Sequence, residues 1–353
     1  MGRADEGLAF ALRYENVAWY DDGAVRILDR RVYPKVSFVT CRTHGEVAQA
    51  IADMVTQSAG PFTACAMGMA LAAWECRDKK EAEQLTYLKD AAYTLSHARP
   101  TTVGRMELIT GGCLAAAERA LAADEDVPAA IRDHTVRAND VRYRKVERMG
   151  QYLADLVPDG GKVLTQCYPE TVLGMFLKAA KARGKQFKIF CAETRPYFQG
   201  ARLTATVCHD MGFDTTVVTD NMPAFVMERE GIDLFTSAAD AICLDGTVVN
   251  KVGTFQIAIA ANYLGVPYYV TGAPDRGMHS RADVHIEMRD PEFTLQAMGV
   301  RTAAEGVKGY YPAFDITPPS LVTGVVTDHG IYKPEDLNKY FASGALGEFE
   351  MVI

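Results

Sequence analysis

Apolar positions recur with two different periods along this chain, and the period changes near residue 158. Before that point the apolar residues follow helical spacing, which is typical of helices with one buried face. The helical stretches cover residues 43–58, 64–77, 80–98, 101–123 and 127–156. Thr43 with Glu46 three residues later indicates the start of the first helix. Ahead of it, an Asp-Asp-Gly turn at residues 21–23 separates two apolar runs and predicts a β-hairpin.

Beyond residue 158, short apolar runs alternate with helical stretches. A Pro-Asp-Gly-Gly turn at residues 158–161 marks the change and indicates a domain boundary. The predicted strands cover residues 163–165, 187–191, 215–219, 239–244 and 266–270, and a helical stretch follows each of the first four. This alternation predicts a parallel, doubly wound sheet, and therefore an α/β protein. We expect an N-terminal hairpin and helical domain over residues 1–157 and a catalytic domain over residues 158–353.

The net charge and the cysteine pattern limit which partners and which cellular compartment we expect. The chain has 353 residues and a net charge of −8, without a basic stripe mixed with aromatic residues, so we expect no nucleic acid partner. No apolar window is long enough to cross a bilayer, so we expect no membrane partner. The eight cysteines form no Cys-x-x-Cys pair and the start has no secretory pattern, which predicts a cytoplasmic protein with reduced thiols.

Several cofactor motifs are missing from the sequence. No Gly-x-Gly-x-x-Gly follows a strand at the start of the second half, and no P-loop or Gly-x-Ser-x-Gly elbow occurs. No pair of histidines has the spacing of metal ligands. We therefore expect neither a nucleotide cofactor nor a metal.

Reactive and anion-binding residue types gather where three predicted strands end. Cys167 follows the first strand, residues 193–202 follow the second, and Asp240 stands in the third, which leads on to Asn250 and Lys251. Ligands of α/β sheets bind in the crevice at the carboxyl ends of the strands. Each residue alone also has an ordinary role, because a lone cysteine is more often an inert core thiol and a lone aspartate more often a cap.

The chemistry open to these residues depends on their surroundings. Cys167 becomes a better base or nucleophile if a following helix N-terminus lowers its pKa. Asp240 stands in an apolar neighbourhood of the sequence, and a carboxyl that burial there keeps protonated would suit a general acid. Lys251 immediately precedes a helix, an arrangement that suits phosphate binding. Arg99 is either a clamp for an anion or a cation that stabilises the C-terminus of a helix.

Segments along nearly the whole chain resemble one family, the methylthioribose-1-phosphate isomerases. The two most specific are E-T-R-P-Y-F-Q-G-A-R-L-T-A at residues 193–205 and V-N-K-V-G-T at residues 249–254. Five further segments fit the family, at residues 19–23, 27–34, 98–103, 286–293 and 311–318. The same superfamily includes ribose-1,5-bisphosphate isomerases and regulatory subunits of the translation-initiation exchange factor. The opening segment and the Arg-Asp-Pro segment favour the methylthioribose-1-phosphate branch.

The resemblance implies a helical N-terminal domain, a Rossmann-like catalytic domain and a homodimer. It implies that a sugar phosphate, S-methyl-5-thioribose 1-phosphate or a close 5-deoxypentose 1-phosphate, is isomerised to the ribulose 1-phosphate without metal or nucleotide. The catalytic residues implied are Cys167 and Asp240, and the substrate-binding residues are Arg99, Gln199, Asn250 and Lys251. Asp240, kept protonated by an apolar site, would open the sugar ring. Cys167 would either take the C2 proton or shield a hydride shift.

The chain also departs from the family pattern around the expected pocket. The family's R-G-A-P-A-I-G is S-A-G-P-F-T-A at residues 58–64, so an arginine expected at the phosphate is absent. Its T-H-C-N is T-Q-C-Y at residues 165–168, and its G-A-D-R is A-A-D-A at residues 238–241. These changes leave open which substituent the sugar carries at C5.

Three other functions remain as alternatives. A ribose-1,5-bisphosphate isomerase needs a second anion site, and the sequence shows no basic cluster to supply one. A non-catalytic sugar-phosphate- or nucleotide-sensing regulatory subunit has no need for both Cys167 and Asp240. A cysteine hydrolase using Cys167 lacks an assignable histidine base.

Overall fold

The structure, a computed structural model, describes residues 2–99 and 103–342. The chain divides into two compact units, the first ending at Lys145 and the second beginning at Val146. This division lies within a long helix, Val127–Leu156. The sequence placed the domain boundary after that helix, between residues 157 and 158.

The first unit begins with a three-stranded antiparallel sheet. Its strands are β1 (Ala18–Asp21), β2 (Ala24–Leu28) and β3 (Phe38–Cys41), in the order β1-β2-β3. The predicted hairpin is confirmed, and its loop residues Asp22 and Gly23 have φ values of 39° and 74°. Two successive left-handed residues are what the tightest hairpin loop requires, and glycine adopts that conformation without strain.

Helices make up the rest of this unit. They are α1 (Tyr14–Val17), α2 (His44–Ala52), α3 (Gly60–Glu75), α4 (Glu81–Ser96), α5 (Val103–Ala122) and α6 (Val127–Leu156). The five predicted helices are thus present. Helix α2 starts as predicted, with the Thr43 hydroxyl accepting from the Glu46 amide at 3.2 Å, but ends six residues early. It ends there because Met54, just beyond the C-cap Asp53, adopts a left-handed backbone conformation with a φ of 59°.

The strands of the second unit are, in chain order, β4 (Lys162–Thr165), β5 (Lys188–Ala192), β6 (Asp214–Val218), β7 (Leu234–Ala238), β8 (Ala241–Ile242), β9 (Val248–Lys251), β10 (Tyr268–Thr271), β11 (Gln296–Ala297), β12 (Val300–Arg301), β13 (Phe314–Thr317), β14 (Gly324–Thr327) and β15 (Gly330–Tyr332). The main sheet has the order β15-β14-β10-β7-β4-β5-β6, and only its β14–β15 pair is antiparallel. The predicted α/β fold with a parallel sheet is confirmed.

Helices flank these strands. They are α7 (Thr171–Ala182), α8 (Ala205–Asp210), α9 (Pro223–Val226), α10 (Thr254–Tyr263) and α11 (Asn338–Ala342). A π-helical turn, Gly200–Thr204, leads into α8, and a second, Met227–Gly231, follows α9. Among the described residues, every helix is too short or too polar to cross a membrane.

One predicted strand is wrong. The fourth parallel strand is β7, Leu234–Ala238, and not residues 239–244. The polar Thr236 and Ser237 interrupt its apolar pattern, yet both are buried. Their hydroxyls bond to the Tyr269 carbonyl at 2.9 Å and the Tyr268 hydroxyl at 2.7 Å, so the cost of burying them is offset.

Residues 241–242 instead belong to a small antiparallel sheet of order β13-β9-β8. Asn250 and Lys251 lie within its central strand β9, where the sequence indicated a loop before a helix. Strand β13, more than 60 residues further along the chain, pairs Phe314 with Lys251 and Asp315 with Asn250. No local pattern indicates this pairing, because it depends on contacts between distant segments.

The order in which the chain adds strands to the main sheet reverses at β4. From β4 the chain adds β5 and β6 on one side, and then returns to place β7 on the other side. Thr165 at the end of β4 is in register with Thr236 of β7. Doubly wound sheets bind ligands outside the carboxyl ends of the strands at such a reversal. The residues that follow β4 and β7 therefore border the expected crevice.

Candidate active site

Cys167 lies two residues beyond the end of β4, at the crevice. Its φ is 61°, a left-handed conformation that is uncommon for cysteine and must be held by its neighbours. The Cys167 amide donates to the Thr194 hydroxyl at 2.9 Å, and the Thr204 hydroxyl donates to the Cys167 carbonyl. Cys167 is the half-buried one of the eight cysteines, all of which are free thiols.

The thiol of Cys167 is protonated at neutral pH. Burial raises its pKa to about 11, and the Asp240 carboxylate adds to this, while Lys251 and Arg289 oppose it. The condition under which Cys167 would become a better base or nucleophile, a pKa lowered by a helix N-terminus, is therefore not met. Desolvation of the thiolate outweighs the favourable positive charges nearby.

Asp240 follows β7, which is the strand next to β4 in the main sheet. Its amide donates to the Val249 carbonyl at 2.9 Å, which ties it to the small sheet. Its side chain is exposed, so the expected apolar surroundings are not found. The chain leaves the main sheet at Ala238, and Asp240 lies in the bend that leads to β8. Asp240 is near enough to raise the pKa of both Cys167 and Lys251.

Lys251 is a buried cation beside this pair. Its side chain donates to the Ala313 carbonyl at 2.9 Å and lies 4.8 Å from the Phe314 ring centroid. Burial lowers its pKa, and the Cys167 and Asp240 charges oppose that shift. Within the described parts of the chain, Lys251 makes no ion pair. A buried cation in this situation is stabilised by an anionic ligand.

A hydrogen-bond network connects the end of β4 to the start of α10. The Thr254 hydroxyl lies 3.0 Å from the Gln166 side-chain oxygen and 3.0 Å from the Asn250 side-chain nitrogen. Gln166 also donates to the Val252 carbonyl at 3.2 Å. Gln166 stands where the family pattern has histidine, and here it links the Cys167 turn to the strand that carries Asn250 and Lys251.

Gln199 lies in the loop after β5. It is buried, and its side-chain oxygen has no hydrogen-bond partner among the described residues. Gly200 follows, and a Cβ atom there would meet the Ala192 carbonyl oxygen at 1.7 Å, so only glycine fits. Asp220 holds the loop by accepting from the Thr194 amide at 2.8 Å and the Arg195 amide at 2.6 Å.

Arg99 lies in the first unit, after α4, and is half-buried. The residues that follow it in the A-R-P-T-T-V segment, 100–102, lie outside the described residues. The structure therefore brings together Cys167, Asp240 and Lys251 of the second unit, with Asn250 beside Lys251 on β9. The described residues contain no group of three or more His, Cys, Asp or Glu side chains that could hold a metal ion.

Comparison with known proteins places the chain in a family. Residues 58–334 match the Initiation factor 2 subunit family. A methylthioribose-1-phosphate isomerase of Desulforudis audaxviator is 35% identical over 344 residues, covering 92% of this chain and 97% of the relative. The chain belongs to this family. Within it, the chain is an isomerase of the methylthioribose-1-phosphate isomerase branch, as the sequence predicted.

Solved structures of the family have the same fold. The 5-methylthioribose 1-phosphate isomerase of Pyrococcus horikoshii aligns with a TM-score of 0.80 at 29% identity, covering 94% of this chain and 96% of that one. A translation initiation factor eIF-2B delta subunit from A. fulgidus aligns with a TM-score of 0.78 at 31% identity, covering 91% and 96%. An isomerase and an initiation-factor subunit therefore both have structures similar to that of this chain.

Two charged side chains near the isomerase crevice escaped the sequence reasoning. Arg289 donates to Glu287 at 2.8 Å, and its guanidinium carbon lies 5.7 Å from the centroid of the Phe314 ring that also contacts Lys251. Its charge lowers the pKa of both Lys251 and Cys167. The I-E-M-R-D-P-E-F segment, which carries Arg289, was part of the family resemblance, but only the folded chain brings Arg289 near Cys167.

Asp315 is the second such residue, and it holds the start of α10. Its carboxylate accepts from the Gly253 amide at 2.7 Å and from the Phe255 amide at 3.1 Å. Burial raises its pKa to about 6, against the effect of these hydrogen bonds. Because Asp315 pairs with Asn250 across the small sheet, it positions both Asn250 and the helix that follows Lys251.

Proposed function

We propose that this chain converts S-methyl-5-thioribose 1-phosphate, or a close 5-deoxypentose 1-phosphate, into the corresponding ribulose 1-phosphate. The observation that carries the proposal is the position of Cys167 and Asp240 after adjacent strands at the reversal of the sheet, beside the buried Lys251. The names of the curated relatives, given at about one-third identity over most of the chain, support the same reaction.

The chemistry requires an acid, because a sugar phosphorylated at C1 has no free anomeric hydroxyl and its ring does not open spontaneously. Asp240 protonates the ring oxygen, and the bond between that oxygen and C1 breaks. Hydrogen then moves from C2 to C1, and the C2 hydroxyl returns a proton to Asp240 as the ketone forms. Asp240 is exposed in the free chain, so a bound substrate that excludes water would raise its pKa and favour the acid form.

Cys167 takes part as a neutral thiol. With a pKa of about 11, on the order of one molecule in 10⁴ carries the thiolate at pH 7. A neutral thiol is a weak base, so its state favours a hydride shift from C2 to C1 over removal of the C2 proton. Cys167 then shields the reacting carbons from water. Turnover in D₂O should leave C1 of the product free of deuterium, and substantial deuterium at C1 would favour proton abstraction.

We assign the substrate phosphate to Lys251 and Asn250, with Arg99 as the further phosphate contact that the family resemblance implies, and Gln199 to a sugar hydroxyl. Lys251 is buried without an ion pair within the described residues, and the buried side-chain oxygen of Gln199, an acceptor, has no partner there, which suits a hydroxyl donor. Tyr311 and Phe314 form an apolar wall next to the Lys251 ammonium, at 6.0 and 4.8 Å from their ring centroids.

A ribose-1,5-bisphosphate isomerase is the second candidate, and Arg289 favours it. A bisphosphate needs a second cation, and Arg289 shares the Phe314 ring with Lys251. Glu287 already neutralises Arg289 through a 2.8 Å contact, which weakens this candidate. A regulatory subunit without activity is the third, because the delta subunit from A. fulgidus has a similar fold.

A substrate panel separates these candidates. The wild-type protein would be mixed with methylthioribose 1-phosphate, 5-deoxyribose 1-phosphate or ribose 1,5-bisphosphate, and the ketose product followed by proton NMR. We expect turnover of the first two sugars and little of the third. Preference for the bisphosphate would assign Arg289 to a second phosphate. No turnover of any sugar by folded protein would favour the regulatory subunit.

We further propose that the enzyme is a cytoplasmic homodimer. The eight free cysteines are consistent with a reducing compartment, and the family resemblance implies the dimer. Sedimentation velocity would test the assembly, with a single species of twice the 38.6 kDa chain mass as the expected result.

A further inference from the structure

A cavity of about 30 Å³ lies among the helices of the first unit, in a part of the molecule that the isomerase proposal does not use. Helices α3, α5 and α6 line it with Phe62, Ala66, Ile109, Cys113, His134, Thr135, Ala138, Asn139 and Arg142. A water molecule needs about 10–15 Å³ on this scale, so the cavity has room for a small group of atoms.

Arg142 is the notable member of this lining. Only 6% of its surface is exposed, yet within the described parts of the chain it makes no ion pair or hydrogen bond. Its guanidinium carbon lies 4.9 Å from the centroid of the Tyr143 ring, a contact that does not neutralise it. Arginine does not lose its proton in proteins, and a buried charge without a counter-ion is costly.

Asn139 supplies an unused donor one helical turn away. Its side-chain oxygen accepts from the Thr63 hydroxyl at 3.4 Å, so the contact to Thr63 leaves the amide nitrogen unused. That nitrogen is buried and has no partner among the described residues. Nearly all buried donors in proteins are satisfied, so this one indicates a ligand.

The remaining titratable groups of the lining are neutral at physiological pH. Burial raises the pKa of the Cys113 thiol to about 12. Burial lowers the pKa of His134, and the nearby Arg137 and Arg119 lower it further. No lining residue is an acid. The cavity is therefore a positively charged site with a free donor and no competing carboxylate.

We propose that this cavity binds a small oxyanion, of the phosphate or sulfate class, through the Arg142 guanidinium and the Asn139 amide. Arginine binds such anions with paired N–H donors, and the amide adds a third. The oxyanion is either free or the terminal group of a larger phosphorylated ligand. The site is distinct from the proposed isomerase site, because none of its lining residues is among those assigned there to catalysis or to substrate binding.

Phosphate-dependent thermal stability tests this proposal, using the Lys251→Met protein so that binding at the isomerase crevice is weakened. A ligand that binds only the folded state raises Tm as its concentration exceeds Kd. We expect inorganic phosphate to raise Tm of the Lys251→Met protein, and to have no effect once Arg142→Met is added. Arg137→Met, on the exposed side of the same helix, is the control and should keep the shift.

A second signature comes from the protein without phosphate. Methionine removes the unpaired buried charge while retaining most of the side-chain length, so Arg142→Met should not lower Tm. An equal phosphate shift with and without Arg142 would overturn the proposal, as would the absence of any shift in the Lys251→Met protein. Repeating the titration with methylthioribose 1-phosphate distinguishes a free oxyanion from the phosphoryl group of a larger ligand.

Diffraction from crystals of the wild-type protein soaked in selenate keeps the test independent of variant folding. We expect anomalous density within hydrogen-bond distance of the Arg142 guanidinium. A soaked crystal with ordered selenate elsewhere and none in this cavity would contradict the proposal.

Discussion

At the scale of single residues, the proposed reaction depends on the ionisation of Cys167. Its position after β4 could be read from the sequence, because a cysteine following a buried strand faces the crevice. The direction of its pKa shift could not, since it depends on how closely the neighbouring loops cover the thiol. Thr194 and Thr204 both hydrogen-bond to the Cys167 backbone, and they lie 27 and 37 residues further along the chain.

Alkylation by iodoacetamide measures this pKa directly. Cys167 is half-buried and the other cysteines are buried, so the reaction should be selective. We expect the rate to rise with pH towards a midpoint near 11 rather than the usual value for a thiol. Lys251→Met removes a charge that favours the thiolate, so alkylation should slow further at a given pH. A midpoint below 8 would contradict the neutral thiol.

Asp315 gives a second prediction at this scale, about stability and pH. Its pKa is about 6 in the folded chain and near 4 in an unfolded chain, so the folded state holds more protons between these values. Stability must then fall as pH rises from about 4 to about 6. The Asp315→Asn variant keeps an acceptor for α10 without the charge. Urea titrations across this range should show a flatter pH dependence for the variant, and identical slopes would refute the burial of this carboxyl.

At the scale of elements, local patterns predicted most helices and the first three parallel strands. The turn and helix-cap residues that define these helices and strands lie within a few residues of each other in the sequence. The small sheet was missed because its strands β8, β9 and β13 come from segments whose pairing is not local. Arg289 and Asp315 were missed for the same reason, since only that pairing brings them to Lys251 and α10.

The turn into α8 provides a test at this scale. A Cβ atom at Gly200 would meet the Ala192 carbonyl at 1.7 Å, so Gly200→Ala must displace the loop that carries Gln199. We expect a loss of about 2 kcal/mol or more in the free energy of unfolding, together with a higher KM. Gly111→Ala in α5 is the matched control, because nothing lies within 4 Å of its Cβ position. It should be neutral or slightly stabilising.

If Gly200→Ala proved as stable as Gly111→Ala, the close packing of this turn against β5 would be wrong. Stability would be measured by urea denaturation, and KM with the best sugar from the substrate panel. A stable variant with raised KM would instead assign the turn to substrate binding alone.

At the scale of the whole molecule, the proposed function requires an acidic protein to bind an anionic substrate, which a few buried cations would do. The net charge of −8 argues against a general electrostatic attraction between the protein and an anion. Affinity for the proposed substrate must therefore come from local groups such as Lys251. Family membership and the α/β fold could be predicted from motifs spread along the chain. The absence of the family arginine at Ser58 could also be read from the sequence, whereas the Arg142 cavity could not, because Arg142 is recognisable only by its burial and by its lack of a partner among the described residues.

The most direct test of the isomerase site is kcat on methylthioribose 1-phosphate for Cys167→Ser and Asp240→Asn, with Asp214→Asn as a control at the exposed start of β6. Both crevice variants should lose about 10²-fold or more while remaining folded by circular dichroism, and the control should retain wild-type activity. Wild-type kcat in either crevice variant would contradict the placement of the reaction between β4 and β7.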